Sequence, residues 1–211
     1  TYLFHKDGIQ DMVVRPEYNG KMDEFGLLVP FPTAPAIRKV ENDIFRHLDN
    51  AVKPPVITLK DRMIRGWKGG AGIEMANARD AVKEMKAELA VDEVRIIKEE
   101  AVGMYQVVVI KAGSDKALKN WLEENKFAYP KGVKEVVNDY IKKKWCFVAA
   151  KVSIGKKDNV VPKPGMKDIN PKFAKGFKFS GGLQAMGFRF KTDELILPTK
   201  LASFNPGKQH H

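Results

Sequence analysis

The two longest apolar runs in this chain, residues 107–110 and 145–150, are the length of β-strands. A helix that crosses a membrane needs roughly 18 uninterrupted apolar residues, and no stretch approaches that. The core must therefore be assembled from strand-sized pieces and amphipathic helices. With 211 residues, the chain can bury a substantial core without covalent staples. Its 44% apolar and 30% charged residues match an ordinary globular protein and exclude a disordered or fibrous one. Cys146 is the single cysteine, so no intrachain disulfide forms and the compartment is left open.

The first thirty residues predict an antiparallel meander. Tyr2 and Phe4, then Ile9, Met12, Val13 and Val14, flank the turn dipeptide Asp7-Gly8. Asn19-Gly20 supplies a second turn signal, and the following apolar run ends in prolines that stop a ladder. Asn42 or Asp43 caps a short helix with Ile44, Phe45, Leu48 and Val52 inward, ended by Pro54-Pro55. A glycine-rich connector over 66–72 leads into a helix with Met75, Ala78, Val82, Met85 and Leu89 on one face. Strands are predicted over 91–98 and 102–112. Ser114 then caps a helix with Ala117, Leu118, Trp121 and Leu122 inward. After Pro130 comes a helix carrying Val133, Val136, Val137, Tyr140 and Ile141, and after it a buried strand over 145–154. A Pro-, Gly- and Lys-rich loop spans about 155–180, and two strands, 183–191 and 194–204, close the chain.

These elements predict one α+β domain over residues 1–205: a mixed, mainly antiparallel sheet with three to four helices packed on it. Residues 206–211 read as a tail, with His210 and His211 the beginning of a purification tag. Thr1, which opens directly into a strand, reads as a processed start with a leader upstream.

The net charge of +11 is not spread along the chain. Residues 142–191 hold 13 Lys or Arg and two acids, Asp158 and Asp168, which gives 13 − 2 = +11; the remaining 24 basic and 24 acidic residues cancel. Within the loop, Lys156, Lys157, Lys163, Lys167, Lys172, Lys175 and Lys178 alternate with Phe173, Phe177 and Phe179. Lysine brings charge without the bidentate geometry of arginine, so binding through these groups would be non-specific and weakened by salt. The phenylalanines suit insertion into a membrane interface or stacking on bases or sugars. The alternative reading puts them at the core edge, with the lysines as a solvated fringe.

Nothing else in the sequence assembles a site. Strand alternation places Cys146 on an apolar face with Val148, Ala150, Val152 and Ile154, which keeps a thiol protonated and inert. His5 and His47 stand apart, with no partner at metal-ligand spacing. Gly69-Gly70-Ala71-Gly72 lacks the Lys-Ser or Lys-Thr ending of a phosphate loop. The adjacent acids Asp92-Glu93, Glu99-Glu100, Glu123-Glu124 and Asp193-Glu194 leave open a hydrolase or transferase built from scattered carboxylates. No catalytic residue, metal ligand or cofactor is indicated.

Several blocks carry a family resemblance. They are Tyr2-Leu-Phe-His-Lys-Asp-Gly, Tyr18-Asn-Gly, Asp23-Glu-Phe-Gly-Leu-Leu-Val-Pro-Phe-Pro, and Phe45-Arg-His-Leu-Asp before Pro54-Pro55. Further on come Glu100-Ala-Val-Gly-Met-Tyr-Gln-Val-Val-Val-Ile, Leu118-Lys-Asn-Trp-Leu-Glu-Glu-Asn, Tyr140-Ile-Lys-Lys-Lys-Trp-Cys-Phe-Val-Ala-Ala-Lys-Val and Ile196-Leu-Pro-Thr-Lys-Leu. In this order they resemble the bacterial domain of unknown function 2330 family. The resemblance implies export to the periplasm, cell envelope or exterior, and it carries no catalytic residues. The family's Cys-containing N-terminal segment has no counterpart here. Export argues against nucleic acid as a partner and favours an anionic polysaccharide, a lipid or an acidic protein surface. The expected function is a non-enzymatic exported binding or structural module, with a subunit of a larger exported complex as a further reading.

Overall fold

The computed structural model describes residues 1–52, 89–129, 131–152, 173–198 and 200–201. The strands are β1 (Tyr2–Lys6), β2 (Ile9–Val14), β3 (Glu17–Lys21), β4 (Gly26–Phe31), β5 (Ala36–Val40), β6 (Val94–Val102), β7 (Tyr105–Ala112), β8 (Cys146–Val152), β9 (Lys178–Gly182) and β10 (Ala185–Lys191). The helices are α1 (Asp43–Val52), α2 (Asp115–Glu124) and α3 (Lys134–Lys142), with a 3-10 turn at Met22–Glu24. The strands form three sheets, in the orders β1-β2-β10-β5, β3-β9 and β4-β8-β7-β6.

The expected mixed sheet with three to four helices packed on it is overturned. All the paired strands are antiparallel and divided among three sheets. Of the described residues 45% are strand and 22% helix, with three α-helices among them. The physical reason lies in β8, which alternates between two apolar environments. Cys146, Val148, Ala150 and Val152 enter one core cluster, while Phe147 and Ala149 enter another. A strand buried on both sides needs a layer on each face.

One layer is the other large sheet. Met12, Ile37, Phe188 and Phe190 of β2, β5 and β10 share a core with Phe31, Val107, Val109 and Val148 of the facing sheet. The Phe31 ring meets Phe188 at 5.1 Å and Phe190 at 5.0 Å between centroids. The other layer is α2 and α3, whose Leu118, Leu122, Val137 and Tyr140 cover Ile110, Phe147 and Ala149. On the far side of the first sheet, Ile44 and Phe45 of α1 pack on Val13, Val40 and Ala185. The result is a two-sheet sandwich with a helical layer on one outer face and α1 over part of the other.

Local signals account for several elements. Asp7 and Gly8 have φ of 52° and 71°, the two left-handed residues of a type I′ turn, and they close the β1–β2 hairpin. The Ser114 side chain accepts the Ala117 N–H at 3.1 Å and so starts α2. Cys146 is fully buried on the apolar face, its thiol donating to the Phe31 carbonyl at 3.4 Å.

Other elements differ from the sequence reading. The meander stops at β2, because β2 next pairs with β10, β3 with β9 and β4 with β8. Asn19-Gly20 lies inside β3 rather than in a turn. β6 runs through Glu99 and Glu100 to Val102, and the reversal falls at Gly103, whose φ is 60°. There Gln184 accepts the Met104 N–H at 2.9 Å, and its carbonyl accepts the Tyr105 hydroxyl at 2.7 Å, tying the turn to the other sheet. Residues 192–198 are not a strand. The Gln10 side chain holds them, donating to the Ile196 carbonyl at 2.6 Å and accepting its N–H at 2.7 Å. The expected connector over 66–72 and the body of the helix predicted to start near Met75 lie outside the described residues.

Candidate functional site

The structure turns the end of the basic stretch into one strand of a two-stranded ribbon. β3 and β9 pair antiparallel with Glu17 opposite Gly182, Asn19 opposite Ser180 and Lys21 opposite Lys178. The strand β9 was not read from the sequence, where the loop was expected to continue to about residue 180. Its composition, Lys-Phe-Ser-Gly-Gly, has little strand preference; pairing with β3 makes it a strand.

A tight turn precedes β9. The Phe177 N–H donates to the Ala174 carbonyl at 3.1 Å, and Gly176 at φ 76° takes the left-handed position. The turn is fastened to the 3-10 segment. The Met22 N–H donates to the Phe177 carbonyl at 2.9 Å, and the Gly176 N–H donates to Asp23 Oδ1 at 3.3 Å.

Five of the Lys and Phe residues named from the sequence are described. Phe173 packs against the inter-sheet core and tilts onto Phe177, with centroids 5.5 Å apart. Phe177 itself is 46% exposed, an unusual position for a ring beside a core. Lys175 and Lys178 are both exposed. Phe179 is half-buried against the core. Lys156, Lys157, Lys163, Lys167 and Lys172 lie outside the described residues.

The ribbon adds residues that the sequence did not point to. Lys21 faces Lys178 across the strands, an arrangement of like charges that weakens a sheet pair. Glu24 Oε1 lies 3.0 Å from Lys21 Nζ, and this hydrogen bond raises the Lys21 ammonium above the ordinary lysine range. The Tyr18 hydroxyl donates to the Lys21 carbonyl at 2.8 Å, and its ring meets Phe25 edge-on at 5.2 Å. A Cβ on Gly20 would lie 2.7 Å from the Tyr18 hydroxyl, so glycine is what lets Tyr18 fold over its own strand. Burial first, then Glu24 and Asp23, pushes the Tyr18 phenol up. Three lysines, 21, 175 and 178, and one half-exposed phenylalanine thus gather at one end of the ribbon, with Asp23 and Glu24 fastening the backbone and Lys21.

Three of the acids in the adjacent pairs each lie beside a basic side chain. Glu93 pairs with Arg95 at 3.5 Å, Glu123 with Lys119 at 3.7 Å, and buried Glu100 with Lys98 at 2.9 Å. His5 Nε2 lies 3.0 Å from the Thr192 carbonyl, and His47 is exposed on α1. Among the described residues no three His, Cys, Asp or Glu side chains gather as metal ligands would. No helix of the described residues is long and apolar enough to cross a membrane.

Fold and site together define an antiparallel sandwich flanked by helices, bearing a two-stranded Lys/Phe ribbon at one end. The family model described as "Uncharacterized protein conserved in bacteria (DUF2330)" matches residues 2–210, and the chain belongs to that family. Neither a curated protein nor a solved structure matches it.

Proposed function

We propose that this chain is a non-enzymatic exported module that binds an anionic surface through the Lys/Phe segment ending in β9. The observation that carries the reading is the facing pair Lys21 and Lys178, with Lys175 and half-exposed Phe177 beside it. Like charges directly opposite on paired strands cost stability; Glu24 offsets this at Lys21, and an anion beside Lys178 and Lys175 offsets the rest. The same segment lies in the stretch that holds the whole net charge of +11. Lysine ammonium groups suit a diffuse anionic partner such as a polysaccharide, a lipid headgroup layer or an acidic protein surface, because they impose no fixed geometry. Phe177 adds apolar contact once the lysines are near the surface.

The test is retention of the full-length protein in native membrane and envelope fractions, washed at low and then high salt. Retention at low salt and release at high salt supports the reading, and the material that elutes with the protein identifies the partner. Solubility in both washes sinks it. Lys175→Gln with Lys178→Gln weakens retention without unfolding the protein, since both side chains are exposed.

A further inference from the structure

The two large sheets treat their outer strands differently. β6, at one edge of its sheet, has a register irregularity between Ile96 and Lys98 and carries the Lys98–Glu100 pair. Bulges and charges of this kind blunt an edge against pairing with another chain. β1, at the edge of the other sheet among the described residues, has neither a bulge nor a proline, and its five residues pair with β2 in unbroken register.

The hairpin turn sets which backbone groups of β1 point away from β2. A two-residue turn makes Lys6 and Ile9 a hydrogen-bonded pair, and pairing alternates from there. Tyr2, Phe4 and Lys6 therefore bond towards β2, while the N–H and C=O groups of Leu3 and His5 point outward from the edge. The apolar surface follows the same edge. Phe4 is 47% exposed and Ile9 41% exposed, and the two are diagonal neighbours on the outer face of β1 and β2.

We infer that β1 is a docking edge for a second copy of this chain, whose β1 adds antiparallel about a two-fold axis at Phe4. This register uses the outward-pointing groups. Leu3 meets the second copy's His5 as a hydrogen-bonded pair, and His5 meets its Leu3. Phe4 meets its counterpart as a non-hydrogen-bonded pair, the kind in which side chains come closest. With the two Ile9 side chains flanking them, the two phenylalanines form one apolar strip. Charge is complementary as well. Lys6 of one copy falls opposite Tyr2 of the other, whose hydroxyl is bonded to Asp49 of α1, so each ammonium meets an aromatic ring and a carboxylate. A two-fold contact of this kind is self-complementary and closed.

Sedimentation velocity over a concentration series reads the association. The wild-type chain is expected to shift from monomer to dimer as concentration rises. Phe4→Lys sets two ammonium groups face to face and raises the dimer Kd by about ten-fold or more. His5→Pro deletes an outward N–H and abolishes the dimer. His5→Ala loses the Thr192 contact alone and keeps it. Circular dichroism checks the fold of each variant, and should His5→Pro unfold, the exposed Phe4→Lys decides. A chain that is monomeric at every concentration overturns the inference, leaving the edge to a strand from a different protein. A dimer that Phe4→Lys leaves unchanged overturns it too.

Discussion

The sheet β4-β8-β7-β6 is covered on both faces, while the sheet β1-β2-β10-β5 is covered on one face and partly open on the other. In β8, every residue except Lys151 is buried, with successive side chains entering different cores. In β1 and β2, the inward Leu3 and Met12 pack in the core while the outward Phe4 and Ile9 face solvent. The doubly covered sheet therefore carries most of the stabilising burial. The open sheet and the ribbon beyond it carry exposed apolar side chains, Phe4 and Ile9 in the first and Phe177 beside the second. Burial and exposure are divided between two regions built from the same kind of strand.

The largest expected effect tests that division directly. Phe147→Ala, between its sheet and α3, should cost about 3–5 kcal/mol in urea unfolding, because the ring is fully buried and meets Tyr140 edge-on. Ile9→Ser on the open face should stay within about 0.5 kcal/mol. Equal losses at the two positions would break the comparison.

Alkaline pH sharpens it from the covered side. Burial pushes the Tyr105 phenol well above its ordinary value. A group with a raised folded pKa contributes stability that is fully present below the unfolded pKa and is lost as pH rises beyond it. Stability should therefore fall above about pH 10. Tyr105→Phe should flatten that fall, at a cost of about 1 kcal/mol at neutral pH for the lost bond to Gln184. An unchanged alkaline slope would place the titration elsewhere.

Smaller and more local is Gln10→Ala. It removes both hydrogen bonds to Ile196, for an expected loss of about 1–2 kcal/mol. Amide hydrogen exchange over 194–198 should quicken while β8 stays protected. Uniform loss of protection would mean the segment is part of the cooperative core.

The smallest effect on stability belongs to the ribbon. Lys21→Gln with Lys178→Gln should leave stability within about 0.5 kcal/mol of wild type, because it trades an exposed ion pair for relief of a like-charge contact. The same variant should lose salt-sensitive retention on envelope fractions. A large stability change with unchanged retention would make the lysines structural.

How much was legible in the sequence follows the range of the signal. Asp7-Gly8 announced its hairpin and Ser114 its helix, since a type I′ turn and an N-cap are each specified within a few residues. The inward face of Cys146 was legible for the same reason, because alternation is a property of the strand itself. Asn19-Gly20 misled, because a turn-forming dipeptide yields when distant residues 179 and 180 offer it a ladder. The β6 boundary misled because Glu100, charged and so apparently exposed, is buried and paired with Lys98. In the site, Lys175, Lys178, Phe173 and Phe177 were found from the charge count and the interleaved rings. Lys21 was not, since nothing near it in sequence marks it as the neighbour of Lys178.

By itself, then, the sequence determined the Asp7-Gly8 hairpin that opens its predicted meander, the capped start of α2, the buried strand β8 and the concentration of positive charge after residue 142. Tertiary structure alone decided that the strands split into three sheets and that two of these face each other. It also decided that the basic segment closes as a ribbon against β3. Turns, caps and side-chain alternation depend on a few neighbouring residues. Sheet partnership is a choice among strands of similar composition, settled by which assembly buries the most apolar surface with every backbone ladder paired.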